Sequence, residues 1–198
     1  MSTRLATRED APALAALHLE SLPGEVSDFT PLGAAVVRRF YGNAIARGAA
    51  QVYVAPGDGP VVGFAMLTPD ISTLFQRSLL AGPADLLRFL LTANPLGLVR
   101  AAIAKASSGT ATVPAAAELV YLAVSPQARG QGAGAALVDA VHEAFRALGI
   151  AAYELNVHAD TVAARLYLAK GYEITRRYEK SGRAMCTMRR RVEPHPGL

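Results

Sequence analysis

The chain has 198 residues, 52% of them hydrophobic and 18% charged, and a net charge of +4. It is too apolar to be disordered, its apolar runs are cut too often by charge to span a membrane, and its length suits one domain, residues 1–198, with a sizeable core. The late basic residues Arg176, Arg177, Lys180, Arg183 and Arg189 to Arg191 show no clear interleaving with aromatics, so they read as a solvated strand edge and a basic tail, not a nucleic-acid interface.

In chain order, Met1 to Asp10 carries charge where a leader needs an apolar core, which places the protein in the cytoplasm. Arg4 to Thr7 fits a first strand. Asp10 then stands as an N-cap, with Pro12 early in a helix on which Leu14, Leu17 and His18 share a face. His18 has no partner at a metal-binding spacing and reads as a helix-surface or boundary residue. Leu22-Pro23-Gly24-Glu25 breaks the helix, and Pro31 to Arg47 restarts one, with Leu32, Val36, Phe40 and Ile45 close to a stripe. Gln51 to Ala55 and Val61 to Leu67 form a hairpin across Pro56-Gly57-Asp58-Gly59-Pro60. Three short helices follow, Ile71 to Leu80, Ala84 to Leu91 and Pro95 to Ala106, punctuated by Gly82-Pro83 and Asn94-Pro95 and trailed by a linker, Ser107 to Thr110.

The organising stretch is Glu118 to Leu148. Glu118-Leu-Val-Tyr-Leu-Ala-Val124 is a short, nearly unbroken apolar run, which predicts a strand buried on both faces. Ser125 to Ala128 is turn chemistry, Arg129-Gly130-Gln131-Gly132-Ala133-Gly134 is a glycine-rich loop, and Ala136, Leu137, Ala140, Val141, Ala144, Phe145 and Leu148 repeat at helical spacing. The first amides of a helix lack intrahelical partners and sit at the positive end of its dipole. Bare glycines there let a diphosphate approach the amides of Gln131 through Ala135, with Arg129 adding charge-assisted bonds. No Gly-Lys-Ser/Thr follows, as a nucleotide-hydrolase loop needs, and the spacing does not fit Gly-x-Gly-x-x-Gly.

Ala151 to Val157 predicts a further strand, Asp160 an N-cap, and Thr161 to Lys170 a helix closed by Gly171. Tyr172 to Tyr178 and Ala184 to Arg190 form a last hairpin turning at Glu179 to Gly182. The lone Cys186 excludes an internal disulfide and a cysteine-based zinc site, and reads as a buried, inert thiol.

Two patterns carry a resemblance. Arg129-x-x-Gly132-x-Gly134 after a strand ending Ala123-Val124, and Asp160-x-x-Ala163-x-x-Leu166-Tyr167-x-x-x-Gly171-Tyr172 downstream, resemble the GCN5-related N-acetyltransferase (GNAT) superfamily, from Glu118 to about Arg190. The family's second motif usually begins with Asn, and the loop before it is one residue longer than here. The resemblance implies an α/β fold with a mixed, largely antiparallel sheet flanked by helices, in which Pro69 to Pro114 is a helical insertion between the third and fourth strands. That insertion, rich in Leu and Phe, reads first as packing over the core or acceptor cleft and second as a homodimer contact.

The same resemblance implies acetyl-coenzyme A as cosubstrate, its diphosphate on Arg129, Gly130, Gln131, Gly132, Ala133, Gly134 and Ala135, and its pantetheine arm along Leu122, Ala123 and Val124. Asp160 belongs to this coenzyme-binding set at the position usually held by Asn. The Val124 amide would help polarise the thioester carbonyl. Tyr167 falls on the family's general acid, a protonated phenol at neutral pH. Glu118 resembles the base of the histone-acetylating branch, raised by partial burial, and reads equally as a solvated strand-end carboxylate. Tyr121 and His158 are weaker candidates for the acceptor end, with Tyr121 on the opposite strand face from Glu118. Glu25, Asp28 and Phe29 lie in the connection that borders the acceptor site in the family.

The expected activity is acetyl transfer to a primary amine of a small molecule in a ternary complex, with no metal. A protein or peptide amine as acceptor, and a catalytically silent coenzyme-binding sensor, are the alternatives.

Overall fold

The computed structural model describes residues 1–22, 27, 29–96, 98, 117–180 and 182–193. Its strands are β1 (Arg4–Leu5), β2 (Gln51–Ala55), β3 (Gly63–Thr68), β4 (Glu118–Val124), β5 (Ala152–His158), β6 (Glu173–Lys180) and β7 (Arg183–Arg191). Its helices are α1 (Ala11–Ser21), α2 (Ala34–Ala46), α3 (Ile71–Leu79), α4 (Pro83–Thr92), α5 (Ala133–Ala147) and α6 (Val162–Ala169). The strands form one sheet in the order β1-β2-β3-β4-β5-β7-β6. Each described pairing is antiparallel except that of β4 with β5. Among the described residues no helix is long and apolar enough to cross a membrane.

Two cores sit on opposite faces of the sheet. The first gathers Leu14 and Leu17 of α1, Val36 and Phe40 of α2, Leu74 and Leu79 of α3 and Phe89 of α4 against Val52, Val54, Phe64 and Met66. The second joins Leu137, Val141 and Phe145 of α5 to Ala65, Leu67, Leu119, Tyr153, Leu155 and Met188. Covered on both sides, β3 is buried along its whole length.

The boundaries shift from expectation where a local bond outcompetes propensity. β1 is short because, one rung past it, where the Ala6 amide donates to the Val52 carbonyl at 2.7 Å, Thr7 turns the chain into a one-turn 3-10 helix, Arg8–Asp10. Asp10 does not cap α1 with its side chain. Its carboxylate instead accepts from the Thr7 amide (2.7 Å) and pairs with Arg4 (2.8 Å), which together hold its pKa at about 2, with Arg4 the larger cause. The predicted helix from Pro31 is interrupted at Gly33, whose φ of +97° ends a 3-10 turn over Thr30–Leu32 before α2 begins.

The described part of the insertion belongs to the first core. α3 and α4 lie against α2, where Asn43 donates to the Ser78 carbonyl at 2.8 Å and Arg47 to the Arg77 carbonyl at 2.8 Å and the Asp85 carboxylate at 2.6 Å. Phe75 and Phe89 meet edge to face at 5.9 Å. Leu87, Leu90 and Leu91 of α4 are exposed. Pro95 to Ala106 as a third helix and Ser107 to Thr110 as a linker fall largely or wholly outside the described residues, as do Glu25 and Asp28.

Candidate active site

The parallel pairing of β4 with β5 begins and ends at Glu118 opposite Glu154, supported by the Glu154 amide bonded to the Ala117 carbonyl at 3.1 Å. Beyond it the strands separate. On the other edge β4 stays paired with β3 through Val124, and the Ser125 amide donates to the Val62 carbonyl at 2.8 Å. Successive peptide groups of a strand point to opposite edges, so the N–H and C=O of Leu122 and Val124 face the gap towards β5. The run is therefore not buried on both faces as predicted: Leu119 and Ala123 are buried, while its other residues are half-buried.

At the end of that gap stands the N-terminus of α5. Gly132 precedes it with φ of +85° and no side-chain cap, and Gly130 has φ of +76°. A Cβ at either glycine would meet nothing within 4 Å, so the space over the loop is open. The amides of Ala133, Gly134 and Ala135 belong to the first turn, where intrahelical acceptors are lacking. With Gly130 and Gln131 they offer a concave row of donors suited to a diphosphate. Gly134 sits against its neighbours instead: a Cβ there would lie in ordinary contact with Leu166 at 3.4 Å and Val124 at 3.9 Å. Arg129 lies across the loop, its Nε donating to the Val124 carbonyl at 3.3 Å.

The face of β4 that looks towards α1 carries a second set of groups. Pairing with β3 slips by one residue between Met66 opposite Tyr121 and Leu67 opposite Leu119, which leaves Val120 as an extra residue, a β-bulge. Val120 and Tyr121 consequently both pack on the first core, whereas Leu119 and Leu122 belong to the second. Because Glu118 lies opposite in sense to Leu119, the bulge puts Glu118 and Tyr121 on the same face, correcting the expectation from simple alternation.

Glu118 is half-buried, and its pKa is pushed up to about 7, chiefly by desolvation, with the Glu154 carboxylate adding repulsion and a hydrogen bond from Asn156 opposing. Glu154 is itself held by Arg189 at 2.6 Å. Phe29 extends the wall, with its ring 5.5 Å from Phe75 and 6.4 Å from Tyr121.

His18, expected at a helix surface or boundary, is fully buried. Its Nδ1 lies 2.7 Å from the Tyr41 hydroxyl and its Nε2 2.9 Å from the Ser27 hydroxyl, and its ring meets Tyr121 edge-on at 4.8 Å. Burial lowers its pKa to about 4, so it is a neutral core histidine with both nitrogens engaged.

Tyr167 of α6 is buried in the second core, 5.3 Å from the ring of Tyr172, and burial raises its pKa. Tyr172 is core as the pattern predicted, its hydroxyl 2.8 Å from that of Tyr153. Asp160 is not the N-cap. It adopts φ of +60°, and Thr161 caps α6 by accepting from the Ala164 amide at 3.1 Å. His158 closes β5 opposite Met185. Cys186 is buried and its thiol pKa is raised by burial, as expected of an inert side chain. Among the described residues no group of three or more His, Cys, Asp or Glu could hold a metal ion.

A concavity of about 420 Å³ lies at the other end of α5, lined in part by His142, Arg146, Lys170 and Arg189. His142 is nine residues from Ala133, roughly 13 Å along the helix, so this concavity is separate from the loop. Three of its cations are paired, Arg146 with Glu143, Lys170 with Asp139 and Arg189 with Glu154.

A family model described as an acetyltransferase (GNAT) domain matches residues 92–192, half of the chain. Comparison with curated protein sequences yields no match. Solved structures share the fold at low identity. The structure of yncA from Salmonella typhimurium, determined with its cofactor acetyl-CoA, is 16% identical with a TM-score of 0.63, covering 100% of this chain and 97% of that one. The ribosomal-protein-S18-alanine N-acetyltransferase from Escherichia coli is 16% identical with a TM-score of 0.59, covering 100% and 97%. A protein from Corynebacterium glutamicum described as histone acetyltransferase HPA2 and related acetyltransferase is 19% identical with a TM-score of 0.63, covering 100% and 98%.

Proposed function

Since this chain belongs to the GNAT acetyltransferase family and is thus an acyltransferase, we propose that it moves acetyl from acetyl-coenzyme A to the primary amine of a small molecule, by direct attack within a ternary complex. The observation that carries the reading is the gap between β4 and β5, which runs towards the open first turn of α5. When bound, the coenzyme supplies an acyl group activated as a thioester. The chain supplies everything else.

Backbone donors from Gly130 to Ala135 and the Arg129 guanidinium hold the diphosphate, in a place where the helix dipole favours negative charge. The outward peptide groups of Leu122 and Val124, with Ala123 between them, align the pantetheine arm as a further strand would. The Val124 N–H is left to donate to the thioester oxygen as negative charge develops there.

Glu118 takes the proton from the attacking amine, directly or through one water. A carboxylate with a pKa near 7 is suited to this because it is substantially ionised at neutral pH yet basic enough to hold the proton. Tyr167 donates its phenolic hydrogen to the leaving sulfur as the C–S bond breaks, and regains a proton from solvent when the products leave. Burial keeps that phenol protonated across the working range, so it serves as a hydrogen-bond donor throughout. The Phe29, Phe75 and Tyr121 rings give the acceptor side an apolar wall, which favours a small amine with an apolar body.

The test is a screen of small primary amines and short peptides, following free thiol release from acetyl-coenzyme A. Turnover with a small amine and none with peptides is the expected result; turnover with peptides alone would overturn the choice of acceptor. Tyr167→Phe is expected to lower kcat about 100-fold while leaving the coenzyme dissociation constant within about twofold.

A further inference from the structure

One side chain beside Glu118 has no part in the chemistry above. Asn156, on β5, donates from Nδ2 to Oε1 of Glu118 over 3.3 Å. Its Oδ1 accepts two hydroxyl bonds, from Tyr178 of β6 at 3.1 Å and from Thr187 of β7 at 2.9 Å. Four strands therefore meet through one amide. Reversing that amide would set Oδ1 against an ionised carboxylate, acceptor against acceptor, so the charge on Glu118 selects this orientation, and the two hydroxyls, which can donate or accept, complete it by donating to Oδ1.

The position is informative as well. Ladder pairing between β4 and β5 stops at Glu118 and Glu154, so the Asn156 contact crosses between the strands at the narrow end of the gap. Asn156 is exposed, and asparagine is poorly suited to a strand on propensity alone. A requirement of the strand does not account for it; a requirement of Glu118 does.

We propose, building on the assignment of Glu118 as the base, that Asn156 is a positioning residue that aims the Glu118 carboxylate across the gap, itself held in place by Tyr178 and Thr187. Among the described residues, the charged and titratable groups on this face include His158, two residues beyond Asn156 on β5. Glu154 of β5 repels Glu118 and is engaged by Arg189 of β7 at 2.6 Å; Arg176 of β6 stacks over the Tyr178 ring at 5.1 Å; Tyr121 lies on the face, backed by neutral His18. Of these groups Asn156 is the one that favours the ionised form of Glu118, against burial and against Glu154.

The experiment follows the Glu118 carboxyl carbon by NMR through a pH titration, and in parallel the pH profile of kcat/KM, for wild type, Asn156→Ala, Tyr178→Phe and Thr187→Val. In Asn156→Ala both the NMR titration and the acidic limb of the profile are expected to move up by about one pH unit, so that kcat/KM falls about tenfold at pH 6 and little at pH 9. Tyr178→Phe and Thr187→Val are expected to move both in the same direction by less. An unmoved Glu118 titration in Asn156→Ala overturns the positioning role. Should that variant fail to fold, an unmoved titration in both Tyr178→Phe and Thr187→Val overturns it instead. Full activity in Glu118→Gln would defeat the base assignment itself, a failure distinguishable because it leaves the NMR shifts in the Asn156 series intact.

Discussion

The gap edge of β4 and the face of β4 towards α1 are built from different material. Along the gap edge the functional atoms are peptide groups of Leu122, Val124 and the first turn of α5, and the loop contributes mainly by lacking side chains at Gly130 and Gly132. On the face, a bulge sets Glu118 and Tyr121 of β4 on one side, and side-chain hydrogen bonds tie Glu118 to Asn156 of β5 and Asn156 to Tyr178 of β6. A site made of backbone tolerates most exchanges around it but not an added Cβ that disturbs its φ angles. A site made of side chains can be retuned one residue at a time, and its pKa values move with each change.

The largest expected effect strikes the backbone site alone. Gly132→Val places a β-branched residue at φ of +85°, and coenzyme A affinity measured by calorimetry should fall about 100-fold. The Glu118 titration should stay near 7 in that variant, and a large shift would break the separation of the two sites.

Glu118→Gln should give the converse pattern, with coenzyme affinity preserved, kcat/KM at pH 8 lowered about 30-fold and the acidic limb near pH 7 removed. This substitution also carries a stability prediction of definite sign. The folded-state pKa of about 7 exceeds the ordinary 4.5, so the folded protein binds this proton more tightly than the unfolded chain, and stability falls as pH rises from 4.5 to 7. Glutamine has no such titration. Relative to wild type, Glu118→Gln should therefore gain stability between pH 4 and pH 8, by about 1–2 kcal/mol once the partial exposure of the carboxylate is allowed for. Chemical denaturation at the two pH values measures it, and an equal or opposite change would sink the claim that burial sets this pKa.

The smallest effect should spare both sites. Arg47→Met removes the ion pair with Asp85 that fastens α4 to α2 and should cost about 1 kcal/mol in denaturant unfolding, with coenzyme affinity and amine kinetics unchanged.

How far each region could be read in advance follows the same division. The strand, loop and helix from Glu118 to Ala147 were legible because their signals are local: an apolar run, glycines, then helical spacing. The terminal hairpin was legible for the same reason. The bulge at Val120 was not, since Glu-Leu-Val-Tyr-Leu contains no glycine or turn residue to mark it, and with it went the facing of Tyr121. His18 was misplaced because its partners, Tyr41 and Ser27, come from outside its helix. Asp160 and Thr161 are both good caps, and the choice between them depends on a positive φ that local pattern does not encode. Asn156 gave no sign of its importance, because the residue it contacts lies on another strand, 38 positions earlier.

The early end of the β4–β5 ladder has a mechanical consequence. Among the described residues, the half-sheet β1 to β4 and the half-sheet β5 to β7 are joined by one registered pair, as two leaves meet at a pin. Small changes in the angle between the leaves would strain that pin without severing any rung above it. A long, slender guest can thus lie between the leaves without displacing a ladder bond of either, while α5, packed on both, keeps them together beneath it.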